Sequence, residues 1–235
     1  MTDMRLKKFI KAVSNLEEPL VSIVVPVYNM EIWLPGFVNA CAQFRTLLPY
    51  ELIFVDNNST DGSREFLQGL GARVEIETRQ GVNFARQRGL NVAKGTVVIS
   101  MDADTAYPEH FLDDMALPLF ESADCALVWA TSVGCQDPFA PTVVDRMKLV
   151  VKKIMHLRQR GGLDQAKQAR AHAMAFRKDS GAFYPADVQN IAGCDDGLVA
   201  IQLLRMGRAH RISTGLFTKR GAEERIDADS RWPKF

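Results

Sequence analysis

The sequence predicts an α/β protein built on one mostly parallel sheet that helices flank. Strand-sized runs of β-branched and apolar residues alternate with helix-sized segments through the first 106 residues. Such alternation is typical of right-handed crossover units, which join parallel strands. With 235 residues, 47% of them hydrophobic and 24% charged, the chain has the size and composition of one large globular domain. We therefore expect a single domain over residues 1–235.

Turn-forming residues mark where the predicted helices and strands of residues 1–106 begin and end. Residues 1–19 should form a short charged helix or arm, which Pro19 ends. Each later strand is an apolar, β-branched run, and helices start after turn-forming residues such as those of 56–62. The predicted strands cover 20–27, 50–55, 73–77 and 96–101, and the predicted helices cover 31–46, 63–70 and 81–93. Residues 20–106 then form a doubly wound nucleotide-binding half.

Strand-sized and helix-sized segments alternate less regularly over residues 107–219. The predicted helices cover 108–122, 143–159 and 195–206, and the predicted strands cover 125–131, 171–177 and 209–213. Gly161 and Gly162 should break the second of these helices, and Gly207 should close the third. The tail over residues 220–235 is polar, which predicts a mobile end.

Charge and apolar content narrow the class of partner. A net charge of +1 and a pI near 7.7 give no general attraction to nucleic acid. The apolar runs are far shorter than the ~20 residues of a membrane span, and no apolar block follows the charged N-terminus. We therefore expect neither a span nor a signal peptide. Four cysteines without a C-x-x-C pair favour reduced core thiols, and hence a cytoplasmic protein.

Two carboxylates follow the apolar run that ends at Met101. Asp102 and Asp104 are spaced i and i+2, within reach of one divalent cation, at the carboxyl end of a predicted strand. Oxygen ligands suit Mg²⁺ or Mn²⁺, which proteins commonly hold with one or two carboxylates and substrate phosphates. The alternative is a helix cap, with Asp104 or Thr105 preceding a helix that starts near Pro108.

Two further strand ends carry polar residues of the kind found in nucleotide clefts. The first strand ends in Pro26, Tyr28 and Asn29, and the second ends at Asp56, before the turn-rich segment 57–62. A carboxylate such as Asp56 can accept hydrogen bonds from a base N–H or a ribose hydroxyl. Taken singly, Asn29 and Asp56 are also ordinary turn residues.

Four segments of the chain resemble the family-two glycosyltransferases of GT-A fold. These segments are VSIVVPVYN at 21–29, VDNNSTDGS at 55–63, GVNFARQRGLN at 81–91 and DAD at 102–104. The resemblance covers residues 20–106 and, more loosely, 171–213.

The resemblance implies roles for the residues at the strand ends. By this likeness Asp56 contacts a uracil-type base, and Arg86 lies near the base or the diphosphate. Asp102 faces the ribose and the metal, and Asp104 binds the Mn²⁺ or Mg²⁺ that bridges the diphosphate. From the residues alone, Arg88 is expected to be a solvated helix charge.

The segment DDGLVAIQLLRMG at 195–207 resembles the family's Glu-Asp helix, in which an acidic pair opens a helix that ends in Gly. By that resemblance Asp196 is the general base of an inverting transfer. The segment departs from the family's pattern at Asp195, where Glu is usual, and at Gln202, where Arg is common. Two acids at a helix N-terminus also interact favourably with the macrodipole, which is the structural alternative.

The resemblance implies an inverting glycosyltransferase that moves a sugar from a nucleotide-sugar, with UDP-sugar favoured, to an acceptor hydroxyl in cell-surface polysaccharide or glycolipid synthesis. Residues 107–219 would then form the acceptor-side half. Two alternatives stay open: a nucleotidyltransferase, although the first strand lacks a Gly-rich basic phosphate loop, and a non-catalytic module that binds nucleotide-sugar or protein. The absence of G-x-G-x-x-G after that strand argues against a dehydrogenase. His210 is expected to be a surface histidine rather than a late metal ligand.

A basic amphipathic helix is expected over residues 143–160. Its apolar positions, at helical spacing, are Val143, Met147, Val150, Val151, Ile154 and Leu157. Its basic residues are Arg146, Lys148, Lys152, Lys153, Arg158 and Arg160. Such a helix can lie on an anionic membrane, which suits a lipid-linked acceptor and a peripheral place at the inner membrane surface. The alternative is an apolar stripe packed on the core, with the basic face solvated.

Overall fold

The structure is a sheet with helices on both faces. The computed structural model describes residues 2–14, 16–157, 169, 172–185 and 195–219. Within those ranges the strands are β1 (Val21–Val27), β2 (Tyr50–Asp56), β3 (Arg73–Ile76), β4 (Val97–Met101), β5 (Thr105–Ala106), β6 (Cys125–Cys135), β7 (Ala173–Arg177) and β8 (Arg208–Lys219). The helices there are α1 (Thr2–Ser14), α2 (Leu34–Cys41), α3 (Ser63–Gly69), α4 (Val82–Val92), α5 (Phe111–Glu121), α6 (Val143–Leu157) and α7 (Asp195–Leu204).

The strands form one sheet in the order β3-β2-β1-β4-β7-β6-β8-β5. β1 pairs in parallel with β2 and β4, β2 with β3, and β6 with β8. β7 and β5 run antiparallel to their neighbours. The mostly parallel sheet that the sequence predicts is therefore confirmed.

The central strand β1 is buried on both faces. Ile23 and Val25 belong to a cluster that includes side chains of α1, α2, α3 and α5, whereas Val24 belongs to a second cluster with side chains of α4 and α7. A strand that is apolar at nearly every position suits this environment. The run of apolar residues at 21–27 thus reflects two cores, one on each side of the sheet.

The sheet opens at the carboxyl end of β1. The ladder between β1 and β4 ends at the pair Val24–Ser100, while β1 continues alongside β2 as far as Val27. Pro26 therefore lies where β4 has already diverged, so that a residue without an N–H is tolerated in a central strand. This divergence creates the crevice in which the polar strand ends meet.

The N-terminal segment is a helix rather than an extended arm. α1 packs against β2, and Ile10 is fully buried in the cluster that also contains α2 and α5. Phe9 and Val13 pack against the same cluster. The segment therefore covers one face of the sheet and belongs to the core.

Several expected boundaries are corrected by the fold. Residues 105–106 form β5, which pairs with the end of β8, and α5 begins only at Phe111 after His110. The helix-cap alternative for Asp104 and Thr105 is therefore wrong. β6 and β8 are longer than predicted because they pair with each other across register shifts that accommodate their irregular middle residues. α2 is shorter than predicted at both ends.

The orientation of α6 also corrects an expectation. Val143, Met147, Val150, Val151 and Ile154 are exposed, whereas Asp145 and Leu149 are buried. The alternative in which the apolar stripe packs on the core is therefore wrong. Residues 158–160, the break at Gly161 and Gly162, and the tail from residue 220 lie outside the described residues.

Gly89 allows α4 to approach β1 closely, which places the start of α4 at the crevice. A Cβ on Gly89 would lie 2.2 Å from Cγ1 of Val24. Gly89→Ala should therefore destabilise the protein by about 1–3 kcal/mol, the usual cost of overpacking, as measured by urea unfolding. Gly69→Ala is the matched control, because a Cβ there meets no atom within 4 Å. Equal stability of the two variants would contradict this packing.

The described residues contain no helix that is both long and apolar enough to cross a membrane. Cys41, Cys125 and Cys135 are buried in the core, and Cys194 lies outside the described residues.

Candidate functional site

A cleft of about 250 Å³ lies at the carboxyl ends of β1, β2 and β4. It is lined by Pro26, Val27, Tyr28, Met30, Asn57, Gln80, Val82, Ala85, Asp102, Ala103 and Asp104. The position is the one at which open α/β sheets bind ligands. Four of the residues predicted from the sequence therefore share one cleft: Pro26, Tyr28, Asp102 and Asp104.

Asn29 shapes the loop after β1 rather than lining the cleft. It adopts a left-handed backbone conformation with φ 53°. Its Oδ1 accepts a hydrogen bond from the N–H of Thr60 at 2.8 Å, and its own N–H donates to Ser59 Oγ at 3.2 Å. The N–H of Met30 donates to Ser63 Oγ at 2.8 Å. These bonds join the β1–α2 loop to the β2–α3 loop, and so fix one wall of the cleft.

Asp56 is fully buried at the end of β2, with one carboxylate oxygen left unsatisfied. Its Oδ2 accepts hydrogen bonds from Nε of Arg64, at 3.0 Å, and from Nη2 of the same residue. Its Oδ1 is buried with no hydrogen-bond partner among the described residues. Leaving a buried acceptor unsatisfied is costly, and a ligand N–H would remove that cost. Asp56 is not among the residues that line the cleft, so its Oδ1 is closed off from a ligand there in this structure.

Asn57, whose role the sequence did not indicate, positions the start of α4 beside the cleft. Its Nδ2 donates to the carbonyls of Glu77 at 2.8 Å and Arg79 at 2.7 Å, while its Oδ1 accepts from the N–H of Gly81 at 2.8 Å. Gly81 has φ 142° and immediately precedes α4. The residue thus ties the end of β2 to the helix that carries Arg86.

The carboxylates of Asp102 and Asp104 lie together in the cleft. Burial, with a further contribution from the charge of Asp102, raises the pKa of the Asp104 carboxyl to about 7. Nη2 of the buried Arg86 lies 3.0 Å from Oδ1 of Asp102. Arg86 therefore contacts one member of the pair directly. A partly buried pair of carboxylates is suited to a hard cation with oxygen ligands.

Tyr107 and Lys219 form hydrogen bonds to the backbone of the acidic pair. The Tyr107 hydroxyl accepts from the N–H of Asp102 at 2.8 Å and donates to the carbonyl of His172 at 2.6 Å. The N–H of Lys219 donates to the carbonyl of Asp104 at 3.1 Å, and Nζ of Lys219 lies 4.2 Å from the ring centroid of Trp33. The positive charge of Lys219 lowers the pKa of Asp104, against the larger effects of burial and Asp102.

α7 begins at Asp195, as the sequence predicts, but the side chains of Asp195 and Asp196 lie outside the described residues. Gln202 anchors the helix, since its Nε2 donates to the carbonyl of Phe183 at 3.1 Å and its Oε1 accepts from the N–H of Phe183 at 3.2 Å. Nδ2 of Asn83 donates to the carbonyl of Pro185 at 3.2 Å. The segment at 183–185 therefore connects α7 to the start of α4.

Arg88 and His210 lie away from the acidic pair. Arg88 is exposed and forms a 2.8 Å ion pair with Glu75, as expected of a solvated helix charge. His210 is exposed near the start of β8, whereas Asp104 contacts the last residue of that strand. The described residues contain no group of three or more His, Cys, Asp or Glu side chains that could hold a metal ion.

Sequence comparison relates the chain to known transferases. The family model described as Glycosyl transferase family 2 matches residues 22–181. Two relatives named undecaprenyl-phosphate 4-deoxy-4-formamido-L-arabinose transferase, from Aeromonas hydrophila subsp. hydrophila and Pseudomonas fluorescens, are each 36% identical over 106 and 99 residues. The matches cover 40% and 37% of this chain, and 32% and 28% of the relatives. The chain thus spans about a third of the length of the relatives that it matches.

Solved structures share the fold. TarS of S. aureus, in complex with UDP-GlcNAc, superposes with a TM-score of 0.64 at 17% identity, over 85% of this chain and 58% of that chain. Glucosyl-3-phosphoglycerate synthase from Mycobacterium tuberculosis, in complex with Mn²⁺ and UDP-glucose, gives a TM-score of 0.61 at 20% identity, over 90% of this chain and 73% of that chain. The fold expected from the GT-A resemblance is confirmed.

Proposed function

Because the chain belongs to glycosyl transferase family 2, we propose that it moves a sugar from a nucleotide-sugar to an acceptor hydroxyl with inversion at the anomeric carbon. One observation carries the proposal: the carboxylates of Asp102 and Asp104 lie in the cleft where β1 and β4 diverge. A UDP-sugar is the favoured donor, since the two solved structures described above contain UDP-GlcNAc and UDP-glucose.

The donor would occupy the cleft between β1, β2 and β4. A rearrangement at the end of β2 would open the buried Oδ1 of Asp56 to the cleft, where it would accept a hydrogen bond from the base. Pro26 and Tyr28 would form the wall beside the base. Asp102 would face the ribose, held in place by Arg86 at 3.0 Å. The diphosphate would then extend toward Asp104.

The residues of the acidic pair fit a divalent cation. The two carboxylates offer hard oxygen ligands, and burial together with the charge of Asp102 raises the pKa of Asp104, so a cation would stabilise its charged form. Asp104, with Asp102, would hold Mn²⁺ or Mg²⁺. When bound, such a cation stabilises the negative charge that develops on the departing diphosphate.

Asp196 is the proposed general base. It lies in the first turn of α7, and the segment at 183–185 that precedes α7 is bonded to the start of α4 at the cleft. Its carboxylate would take the proton of the acceptor hydroxyl, whose oxygen attacks the anomeric carbon from the face opposite the diphosphate. The bond to the diphosphate breaks as the new glycosidic bond forms, so that the configuration inverts.

A lipid-linked acceptor is the proposed second substrate. The relatives from Aeromonas hydrophila subsp. hydrophila and Pseudomonas fluorescens carry undecaprenyl phosphate in their names. Such an acceptor resides in a membrane, so the enzyme would work as a peripheral protein at the inner membrane surface. Residues 143–160 are the segment whose sequence predicts contact with that surface.

Release of nucleoside diphosphate from a panel of UDP- and GDP-sugars tests the proposed function. The assay would include a polyprenyl phosphate and simple sugars as acceptors, with and without Mn²⁺. We expect metal-dependent release from at least one UDP-sugar. Binding of nucleotide-sugars without any turnover, across acceptors, would instead favour a non-catalytic binding module.

The stabilising effect of Mn²⁺ should depend on pH. The folded-state pKa of Asp104, about 7, lies above its ordinary value of 3.8, so this group stabilises the fold at low pH and loses that contribution as the pH rises through 7. A bound cation replaces the missing proton. Thermal melting should therefore show a larger Mn²⁺-induced rise above pH 7 than below the ordinary pKa of Asp104. Equal rises in both ranges would contradict a metal site at Asp104.

A further inference from the structure

The apolar stripe of α6 faces away from the protein. Val143, Met147, Val150, Val151 and Ile154 are between 51% and 72% exposed. In a helix of 3.6 residues per turn these positions form one continuous arc. A soluble helix normally buries such an arc, so its exposure along about three turns indicates a surface that meets something apolar.

The polar side of α6 is the side that packs on the sheet. Nζ of Lys152 donates to the carbonyl of Ser132 in β6 at 2.7 Å. A Cβ on Gly215 of β8 would lie 2.6 Å from Cε of Lys153 and 2.7 Å from Cδ1 of Leu149, so the helix lies directly on this strand. The aliphatic parts of two lysines therefore fill much of the space between α6 and the sheet.

Positive charge borders the exposed arc. The exposed Arg146 and Lys148 lie on its two flanks. Residues 143–157 contain four lysines and arginines but one acid, Asp145, which is buried, accepts hydrogen bonds from Thr142 and lies 3.5 Å from Nζ of Lys148. The outward surface is thus apolar in its middle and basic at its edges. This is the pattern of helices that lie in the interface of an anionic membrane.

We infer that α6 is a docking surface for an anionic lipid bilayer. Its exposed arc enters the headgroup region, and Arg146 and Lys148 contact lipid phosphates. Charge favours this occupant over a second copy of the chain. If two copies met through α6, the basic edges of one arc would face those of the other, and like charges oppose such association.

The docking surface lies close to the acidic pair. From Gly215, which lies under α6, β8 continues to Lys219, whose N–H donates to the carbonyl of Asp104. Four residues of extended strand span about 13 Å. Docking through α6 would therefore bring the cleft near the membrane surface. This consequence for a lipid-linked acceptor rests on the proposed function, whereas bilayer binding itself does not.

Vesicle sedimentation of the full chain tests the inference. We expect the protein to pellet with vesicles of phosphatidylglycerol and phosphatidylcholine, more at low than at moderate salt, and much less with phosphatidylcholine alone. Val150→Asn combined with Ile154→Asn should weaken binding by about tenfold or more, because two apolar anchors are lost. Arg146→Gln combined with Lys148→Gln should weaken binding to the anionic vesicles by about fivefold for each charge.

Two control variants replace residues of the same kinds at exposed positions outside α6. Leu47→Asn with Met206→Asn removes two exposed apolar side chains, and Arg5→Gln with Lys8→Gln removes two exposed charges of α1. Both should bind vesicles as wild type does. If they lose as much binding as the α6 variants, the effect is not specific to α6 and the inference fails.

Three other results would overturn the inference. The wild-type protein could fail to pellet with anionic vesicles at low salt. The protein could be a dimer that the Val150 and Ile154 changes dissociate, which would make α6 a contact between copies. Those changes could lower the melting temperature as core substitutions do, which would show that the arc is covered within the chain. Vesicle sedimentation needs neither a sugar donor nor an acceptor, so it can be interpreted even if the protein transfers no sugar. UDP binding tests the cleft separately.

Discussion

Replacing Asp104 with Asn should lower sugar transfer by about a thousandfold or more, because several kcal/mol of charge stabilisation depend on the cation that this carboxylate would hold. The fold should survive. Burial beside Asp102 already disfavours the charged form of Asp104, so above pH 7 the metal-free variant should melt no lower than the wild-type protein. The measurements are initial rates of nucleoside diphosphate release and thermal melting in chelator.

Asp179→Asn is the matched control for this prediction. Asp179 is an exposed carboxylate just after β7, which runs antiparallel to β4, so it lies at the opposite edge of the sheet. The control should keep full activity. The metal hypothesis fails if Asp104→Asn also keeps it, or if excess EDTA leaves the wild-type rate unchanged.

Asp196→Asn should reduce turnover by roughly 100-fold or more, the usual scale for the loss of a general base. Binding of the nucleotide-sugar should change little, because the proposed donor contacts come from β1, β2 and β4 rather than from α7. Single-turnover rates and calorimetric donor affinity, measured on the same variant, separate the two effects.

Asp195→Asn provides the comparison for the general base. The neighbouring acid shares the start of α7 and the favourable interaction with its macrodipole, but it has no assigned proton transfer. Its replacement should therefore be mild. If Asp195→Asn is crippling and Asp196→Asn is mild, the base has been assigned one residue too late.

Local sequence determines much of the fold over residues 20–106. The strands over 21–27, 50–56 and 97–101 follow directly from their apolar, β-branched runs, and the polar residues after them meet at one edge because parallel strands end together. The position of Asp102 and Asp104 in a cleft therefore follows from the amino-acid sequence alone.

Features that depend on distant pairing could not be predicted in the same way. β5 forms because residues 105–106 pair with the end of β8, more than a hundred residues away in the sequence. For the same reason nothing near Asp104 in the sequence indicates Lys219, and nothing near Asp102 indicates that Tyr107 would link it to His172. Such contacts belong to the tertiary fold rather than to local propensity.

α6 shows the limit of periodicity as evidence. The spacing of apolar residues over 143–157 correctly predicts a helix and identifies its apolar arc. It does not determine which side meets the sheet. Leu149 and the lysine stems pack on β6 and β8, where Gly215 allows a close approach, and the apolar arc is left outside. The spacing of apolar residues therefore predicts which residues of a helix share one face, whereas tertiary packing decides whether that face meets the core or the solvent.

The central claim is that the cleft at Asp102 and Asp104 binds a nucleoside diphosphate with a divalent cation, and calorimetric titration of the protein with UDP tests it most directly. We expect UDP to bind with one-to-one stoichiometry in Mn²⁺, and to bind far more weakly in EDTA. The Asp104→Asn variant should show weak binding under both conditions. Equal affinity for UDP with and without Mn²⁺, or unchanged metal-dependent binding by Asp104→Asn, would contradict the account.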